Sequence, residues 1–312
     1  MNQLITPISY SLQEIRQMPA QDLLITIRDR GLHDSLAFLG MLSPEQFQHI
    51  MDLDAWTDDR IQNEKIEPWL EAMMESNPRK AIQVFHELDI ELLSFLLKEN
   101  SEVYELDDGQ EPDDLPNDRL QTPDNRYVIT FSKPIWRHFF EHLMARDLTF
   151  ALQIIQSIRY ETTAGLEEEA FRWRDGRMQD LGFAPYEEAK AVLSRINPDI
   201  SLEYPAILPE EESALNPIQA IVSSLETDPV FTQTLSRLPN DTQKRILNEF
   251  VSTCNQVHQA LNRDSGDRQS LRETVQYVTL LLDKALHYRS PEVLATSPVR
   301  TLFQIGRSLE NA

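Results

Sequence analysis

Apolar residues recur at every third or fourth position along most of this chain, which is the spacing of one buried face of an α-helix. Ile82, Phe85, Leu88, Leu92, Leu93, Leu96 and Leu97 predict two short helices that meet near Asp89. Leu148, Ala151, Leu152, Ile154, Ile155 and Ile158 form a second stripe, and Leu271, Val275, Val278, Leu281, Leu282 and Leu286 a third. The prolines agree with this reading although they outnumber glycines by 18 to 8. Ser43-Pro44, Asn77-Pro78, Asn216-Pro217, Asp228-Pro229, Ser290-Pro291 and Ser297-Pro298 each set a capping side chain before a proline. At the first helical position proline gives up only an N–H that has no intrahelical acceptor, so these pairs announce helices. Ser11 with Glu14 and Ser43 with Gln46 have the spacing of a reciprocal cap, and Gly31 and Gly182 stand where helices should stop.

One segment departs from the helical period. The strings VYEL at 103–106 and YVITF at 127–131 alternate like strands, and the polar stretch between them is rich in turn residues. The fold class expected is mainly α, an array of short helical hairpins (superhelical or an irregular bundle) with a small two-stranded β-ribbon insert near 102–131. The insert loop Asp107–Asn125 is expected to be the mobile part. A Pro- and Glu-rich passage, 199–215, is read as a linker between an N-terminal helical domain (1–198) and a C-terminal helical subdomain (216–312).

Charge narrows the class of partner. Against 29 basic residues stand 51 acidic ones, a formal net charge of −22. Phosphate backbones are held by clusters of Lys and Arg, and none is present, so nucleic acid and anionic membrane surfaces are not expected partners. The lone Cys254 allows no intrachain disulfide and falls within a helical pattern as a core residue. The first residues lack the pattern of a signal peptide, and no window is apolar enough to span a membrane, so the expected location is cytoplasmic.

Three stretches invite a chemical reading. His138-Phe139-Phe140-Glu141-His142 matches H-x-x-E-H, in which two His one turn apart hold zinc and the Glu acts as base. On a helical wheel Ile135, Trp136, Phe139, Phe140, Leu143 and Met144 form one apolar face, which leaves His138, Glu141 and His142 on the opposite or flanking surface. Asp52-Leu53-Asp54 begins like a calcium loop but fails at Trp56, Thr57 and Asn63. Asp107, Asp108, Glu111, Asp113 and Asp114 are acidic enough to hold a hard cation weakly, although a solvated loop has the same composition. No phosphate-binding, dinucleotide-binding or serine-nucleophile motif occurs.

The third stretch, GLEEEAFRWRDGRMQDLGFAPYEEA (165–189), is the most densely charged helix of the chain. Its spacing predicts a helix over 165–181 packed by Leu166, Ala170, Trp173, Leu181 and the stem of Arg177. Glu167, Glu168, Arg174 and Asp175 would then face water. Gly182 should end this helix, Phe183 should pack beneath it and Pro185 should start the next. The other reading of the same residues is an interaction surface built from Glu168, Arg172, Trp173, Arg174 and Arg177.

With AWTDDRIQNEKIEPWLEAM (55–73) and SPVRTLFQIGRSLE (297–310), the 165–189 stretch resembles an uncharacterised bacterial domain-of-unknown-function family over most of the chain. That resemblance implies no activity and no site residue. Hairpins such as LSPEQFQHIMDLD are also similar to the superhelical cytosolic domain of magnesium channels, a unit seen in flagellar motor switch proteins as well. This likeness implies a right-handed stack of short helices used for regulation or protein contacts. The function expected is a cytosolic protein-interaction or regulatory helical module, without catalytic activity or cofactor, acting on an unidentified protein partner. The alternative is a metal-dependent hydrolase holding zinc or another divalent cation through His138 and His142.

Overall fold

The computed structural model describes residues 10–106, 119–202 and 229–311. They group into two compact units, one through Arg174 and one from Asp175. Helices dominate both, so the fold is mainly α.

The first unit is a succession of short helices whose ends were legible as caps. Ser11 opens α1 (Leu12–Gln17), and its Oγ accepts the Glu14 N–H while the Glu14 carboxylate accepts the Ser11 N–H. α2 (Ala20–Arg30) stops at Gly31, whose φ of +89° is a left-handed value that side-chain-bearing residues rarely adopt. After the short α3 (Leu36–Leu39), Ser43 and Gln46 repeat the reciprocal cap at the start of α4 (Pro44–Asp54). A tight hairpin follows, β1 (Trp56–Thr57) against β2 (Arg60–Ile61), turning on Asp58 at φ +55°. α5 (Asn63–Ser76), α6 (Pro78–His86), capped by the Asn77 side chain, and α7 (Ile90–Asn100) come next.

The predicted ribbon is present and carries a third strand. β3 (Ser101–Glu105) runs antiparallel to β5 (Tyr127–Phe131), with Val103 opposite Ile129. β4 (Arg119–Gln121) joins the far side of β5, in residues whose composition pointed to an irregular loop. Three residues are too few to show an alternation. Their register is set by Thr122, whose Oγ1 accepts the Tyr127 N–H at 3.0 Å while its own N–H reaches the Tyr127 carbonyl. The rest of the insert, 107–118, with its five acidic candidates for a cation, lies outside the described residues.

α8 (Pro134–Arg146), α9 (Leu148–Tyr160) and α10 (Thr163–Asp180) complete the helices that reach the end of this unit. Its core is threaded by aromatic rings: Trp69 of α5 on Phe47 of α4, Phe47 on Phe85 of α6, Phe85 on Phe139 of α8, and Phe139 on Trp136. Centroid separations of 5.2–6.3 Å fall in the range of favourable tilted and edge contacts. Burial of each such ring stabilises the unit by about 1.5–3 kcal/mol. All seven apolar residues of the 82–97 stripe are buried, whereas Leu148, at the first position of α9, is exposed.

The second unit holds the end of α10, α11 (Tyr186–Ala191), α12 (Val230–Leu235), α13 (Asn240–Ala260), α14 (Arg268–Arg289) and α15 (Val299–Ser308). The 271–286 stripe is wholly buried, and so is Cys254. The segment after α11 is tied to α15: Gln304 Nε2 donates to the Ala191 carbonyl, Arg307 donates to the Leu193 carbonyl, and Ser308 Oγ accepts the Ile196 N–H. Of the predicted linker 199–215, residues 203–215 lie outside the described residues, as do Asn216-Pro217 and Asp228.

Candidate functional site

Within the first unit, α10 presents two unlike faces, and they are not the ones its hydrophobicity suggests. The Thr162 Oγ1 caps its start by accepting the Gly165 N–H at 3.1 Å. The buried row then runs Leu166, Ala170 and Arg174 at intervals of four, with Glu167 beside it. Glu167 is 8 % exposed and Arg174 9 %, while Trp173 is 56 % exposed. This corrects the expectation that Trp173 packs inward and that Glu167 and Arg174 face water. The Arg174 side chain is therefore no part of an outward surface.

Specific partners explain the inversion. Glu167 Oε1 accepts the Ile61 N–H at 3.0 Å, and Oε2 accepts from Arg60 Nη1 at 2.6 Å, so one carboxylate holds both residues of β2. The bond and charge of Glu167 raise the pKa of the exposed Arg60. Arg174 Nε donates to the Asp52 carbonyl at 2.8 Å, which lies in the last turn of α4, and its guanidinium sits 5.1 Å from the Trp56 ring centre. Phe171 meets the same ring at 6.0 Å. A guanidinium buried in this way is satisfied both by a helix-end carbonyl and by an aromatic face.

Sequence reasoning missed the polar contacts made by the residues just before the hairpin and by α5. Asp54 is buried, accepts from Trp69 Nε1 at 2.8 Å and pairs with Arg28 of α2. Asp52 is also buried and accepts from Gln48 Nε2 at 3.3 Å, while Gln48 Oε1 accepts the Asp89 N–H at 3.2 Å. On α5, Glu67 accepts from Trp136 Nε1 at 3.0 Å and pairs with Lys133. Burial opposes the charge on Glu67, but these two bonds outweigh it and hold its pKa below the usual glutamate value. The Asp52-Leu53-Asp54 string that opens like a calcium loop thus serves internal hydrogen bonds. The i, i+4 spacing of Gln48 and Asp52 was the one local signal of this.

Two of the three stretches that resemble a family therefore meet each other: Glu167 bonds Arg60 and Ile61, and Arg174 lies over the Trp56 ring, in the hairpin that begins 55–73. The third, 297–310, holds the residues that follow 165–189. The family model for DUF6178, a family of unknown function, matches residues 2–311. The chain belongs to that family. No curated protein and no solved structure matches the chain, so the likeness to magnesium channels carries no further weight.

What α10 leaves outward is a charged strip around one aromatic. Arg172 bonds Glu168 at 2.6 Å and approaches Glu169 at 3.4 Å, both exposed pairs one turn apart, and Trp173 stands beside them. Arg177 is half-buried further along. The helix ends as expected: Gly182, at φ +84°, lets Phe183 N–H reach the Met178 carbonyl and its own N–H reach Gln179, the double bond of a Schellman stop.

His138 is exposed on α8 and His142 half-buried, while the buried residues of this helix are Trp136, Phe139, Phe140 and Leu143. Their ring centres are 4.3 Å apart, and His142 Nδ1 is 3.0 Å from the His138 carbonyl. Glu141 pairs with Arg137. Among the described residues no three His, Cys, Asp or Glu side chains converge as a metal site would require. Burial pushes the Cys254 thiol well above its ordinary pKa, which disfavours the thiolate a nucleophile needs.

Proposed function

We propose that this protein is a helical interaction module of the bacterial cytoplasm that works without a cofactor and binds another protein through the outward strip of α10. The carrying observation is Trp173, a large aromatic left 56 % exposed on a helix whose other face is anchored by a buried Arg and a buried Glu. Tryptophan and arginine are the residue types in which protein interfaces concentrate binding energy, and Trp173 stands next to the exposed Arg172. A net charge of −22 supports a protein rather than a nucleic acid as the partner. No described helix is long and apolar enough to cross a membrane.

Affinity capture with the full chain, its Trp173→Ala variant and a Leu280→Ala control tests this. Leu280 is similarly exposed but lies on α14. A partner held by the parent and the control and lost with Trp173→Ala, at unchanged melting temperature, is the expected result. Equal recovery in all three overturns the assignment of the surface. The hydrolase alternative draws on the H-x-x-E-H match at 138–142 and on the proximity of the His138 and His142 rings. Metal analysis of the purified protein should find no stoichiometric zinc, and His138→Ala, at an exposed site, should leave stability within about 0.5 kcal/mol. One zinc per chain, lost in that variant, would reverse the order of the two readings.

A further inference from the structure

The side of α10 opposite its buried row carries a charge pattern that inverts when the helix is turned end for end. Gly165, Glu169, Arg172, Gly176 and Gln179 follow at alternate intervals of four and three, which is the spacing of one continuous seam along a helix. Glu169, Arg172, Gly176 and Gln179 are exposed, and so are Glu168 and Trp173, which flank the seam. Reversed about the point midway between Glu169 and Arg172, the helix exchanges those two residues with each other. The same reversal exchanges Glu168 with Trp173 and Gly165 with Gly176. Laid antiparallel on a second copy about that point, α10 sets each Glu169 against an Arg172 and each Trp173 against the stem of a Glu168. A parallel alignment would set Glu169 on Glu169 and Arg172 on Arg172, which like charges oppose.

Gly176 is a separate observation on the same seam. A Cβ built on it meets nothing within 4 Å, and its φ is not a left-handed one. Glycine inside a helix is destabilising relative to alanine, and no contact among the described residues requires it here. It bares the backbone where a facing helix would pass, and helix separation is set by the side chains at the contact. Arg172 already pairs with Glu168 and approaches Glu169 in its own chain. Exposed pairs of this kind are weak, and a guanidinium with five N–H donors accepts a further carboxylate without releasing the first.

We infer that the partner docked on the α10 strip is a second copy of this chain, held by an antiparallel two-fold contact centred between Glu169 and Arg172. The inference rests on the reading of this strip as a docking surface and names its occupant. A contact built on one helix pair is small, so the dimer is a weak one, with a Kd of about 10 µM or more.

Sedimentation velocity of the full chain tests this in about 0.15 M salt, where repulsion between two copies is screened beyond about 8 Å. A concentration-dependent dimer is the expected result. Arg172→Glu and Glu169→Arg should each weaken it about tenfold or more, because each places like charges opposite one another. An equimolar mixture of the two variants should restore association, since one then presents two carboxylates on the seam and the other two guanidiniums. Gly176→Leu should lose the dimer while circular dichroism and the melting temperature of the dilute protein hold, because a Cβ at this position meets nothing in its own chain. A chain that stays monomeric at about 200 µM overturns the inference. A dimer indifferent to these variants, or a variant mixture that fails to associate, overturns it as well. A monomeric chain from which Trp173→Ala releases a different captured protein defeats the second copy and leaves the α10 surface standing. A monomeric chain with equal capture by parent and Trp173→Ala removes both.

Discussion

Gly306 stands where α15 crosses α14, and a Cβ built on it would lie 1.9 Å from the Leu281 carbonyl oxygen. Backbone cannot swing aside as a side-chain tip can, so any larger residue forces the two helices apart. Gly306→Ala should lower stability by about 1–3 kcal/mol or more, as overpacking does, and a urea melt should show it as a lower midpoint. His258 is a second residue whose surroundings decide its behaviour. Its Nδ1 is 2.9 Å from Thr274 Oγ1, which already donates to the Ser270 carbonyl and accepts from Arg263. His258 itself is buried. Burial first, and the charge of Arg263 second, lower its pKa to about 4 from 6.5. Protons then bind the unfolded chain more readily between those values. The contribution is fully present above pH 6.5, is lost as pH falls toward 4, and changes no further below that. At pH 5 the loss attributable to His258 should be about 2 kcal/mol. Urea midpoints from pH 7 to 5 should fall in the parent and fall less in His258→Gln; parallel slopes would contradict the assignment.

At the scale of the element, α10 separates what a helix looks like from what it touches. Trp173→Ala should change stability by only about 0.5 kcal/mol, because the ring is largely in water. Arg174→Ala should cost about 2–3 kcal/mol, since it removes a charged donor from a helix-end carbonyl and a cation from the Trp56 face. Thermal melts of the two variants side by side give the ranking, and a larger loss for Trp173→Ala would refute it. The opposite ranking follows from residue type alone, which places the largest apolar side chain inside. The i+4 series Leu166, Ala170, Arg174 was available in the sequence. That an arginine occupies it inwardly was not, because the carbonyl and ring that satisfy it belong to α4 and β1.

For the molecule as a whole, the excess of acid is a term in stability as well as a guide to partners. With a formal charge of −22, self-repulsion opposes the compact state, and salt relieves it. Raising sodium chloride from low ionic strength to about 0.5 M shortens the screening length to a few ångströms. The melting temperature should rise over that range. A fall would mean that exposed pairs such as Arg172–Glu168 and Arg300–Glu188 outweigh the net repulsion. Each of the two units has its own buried residues. In the first, an aromatic chain from Trp69 to Trp136 links α5, α4, α6 and α8.

What this sequence determined by itself was local: the capped starts at Ser11, Ser43 and Asn77, the stops at Gly31 and Gly182, and the buried stripes on α6, α7 and α14. Each depends on neighbours within one or two turns, so the 3.6-residue period and the chemistry of Ser, Asn, Pro and Gly suffice to read it. The outward placement of His138 was legible on the same grounds. Only the tertiary structure decided the inward turn of Glu167 and Arg174, the burial of Asp52 and Asp54, the third strand at 119–121 and the close pass of Gly306 on Leu281. The bonds at Glu167 and Arg174 cross more than a hundred residues of chain, 107 for Glu167 with Arg60 and 122 for Arg174 with Asp52. Desolvating a charged group is unfavourable unless a particular partner waits for it. No periodicity in the sequence encodes where that partner will be.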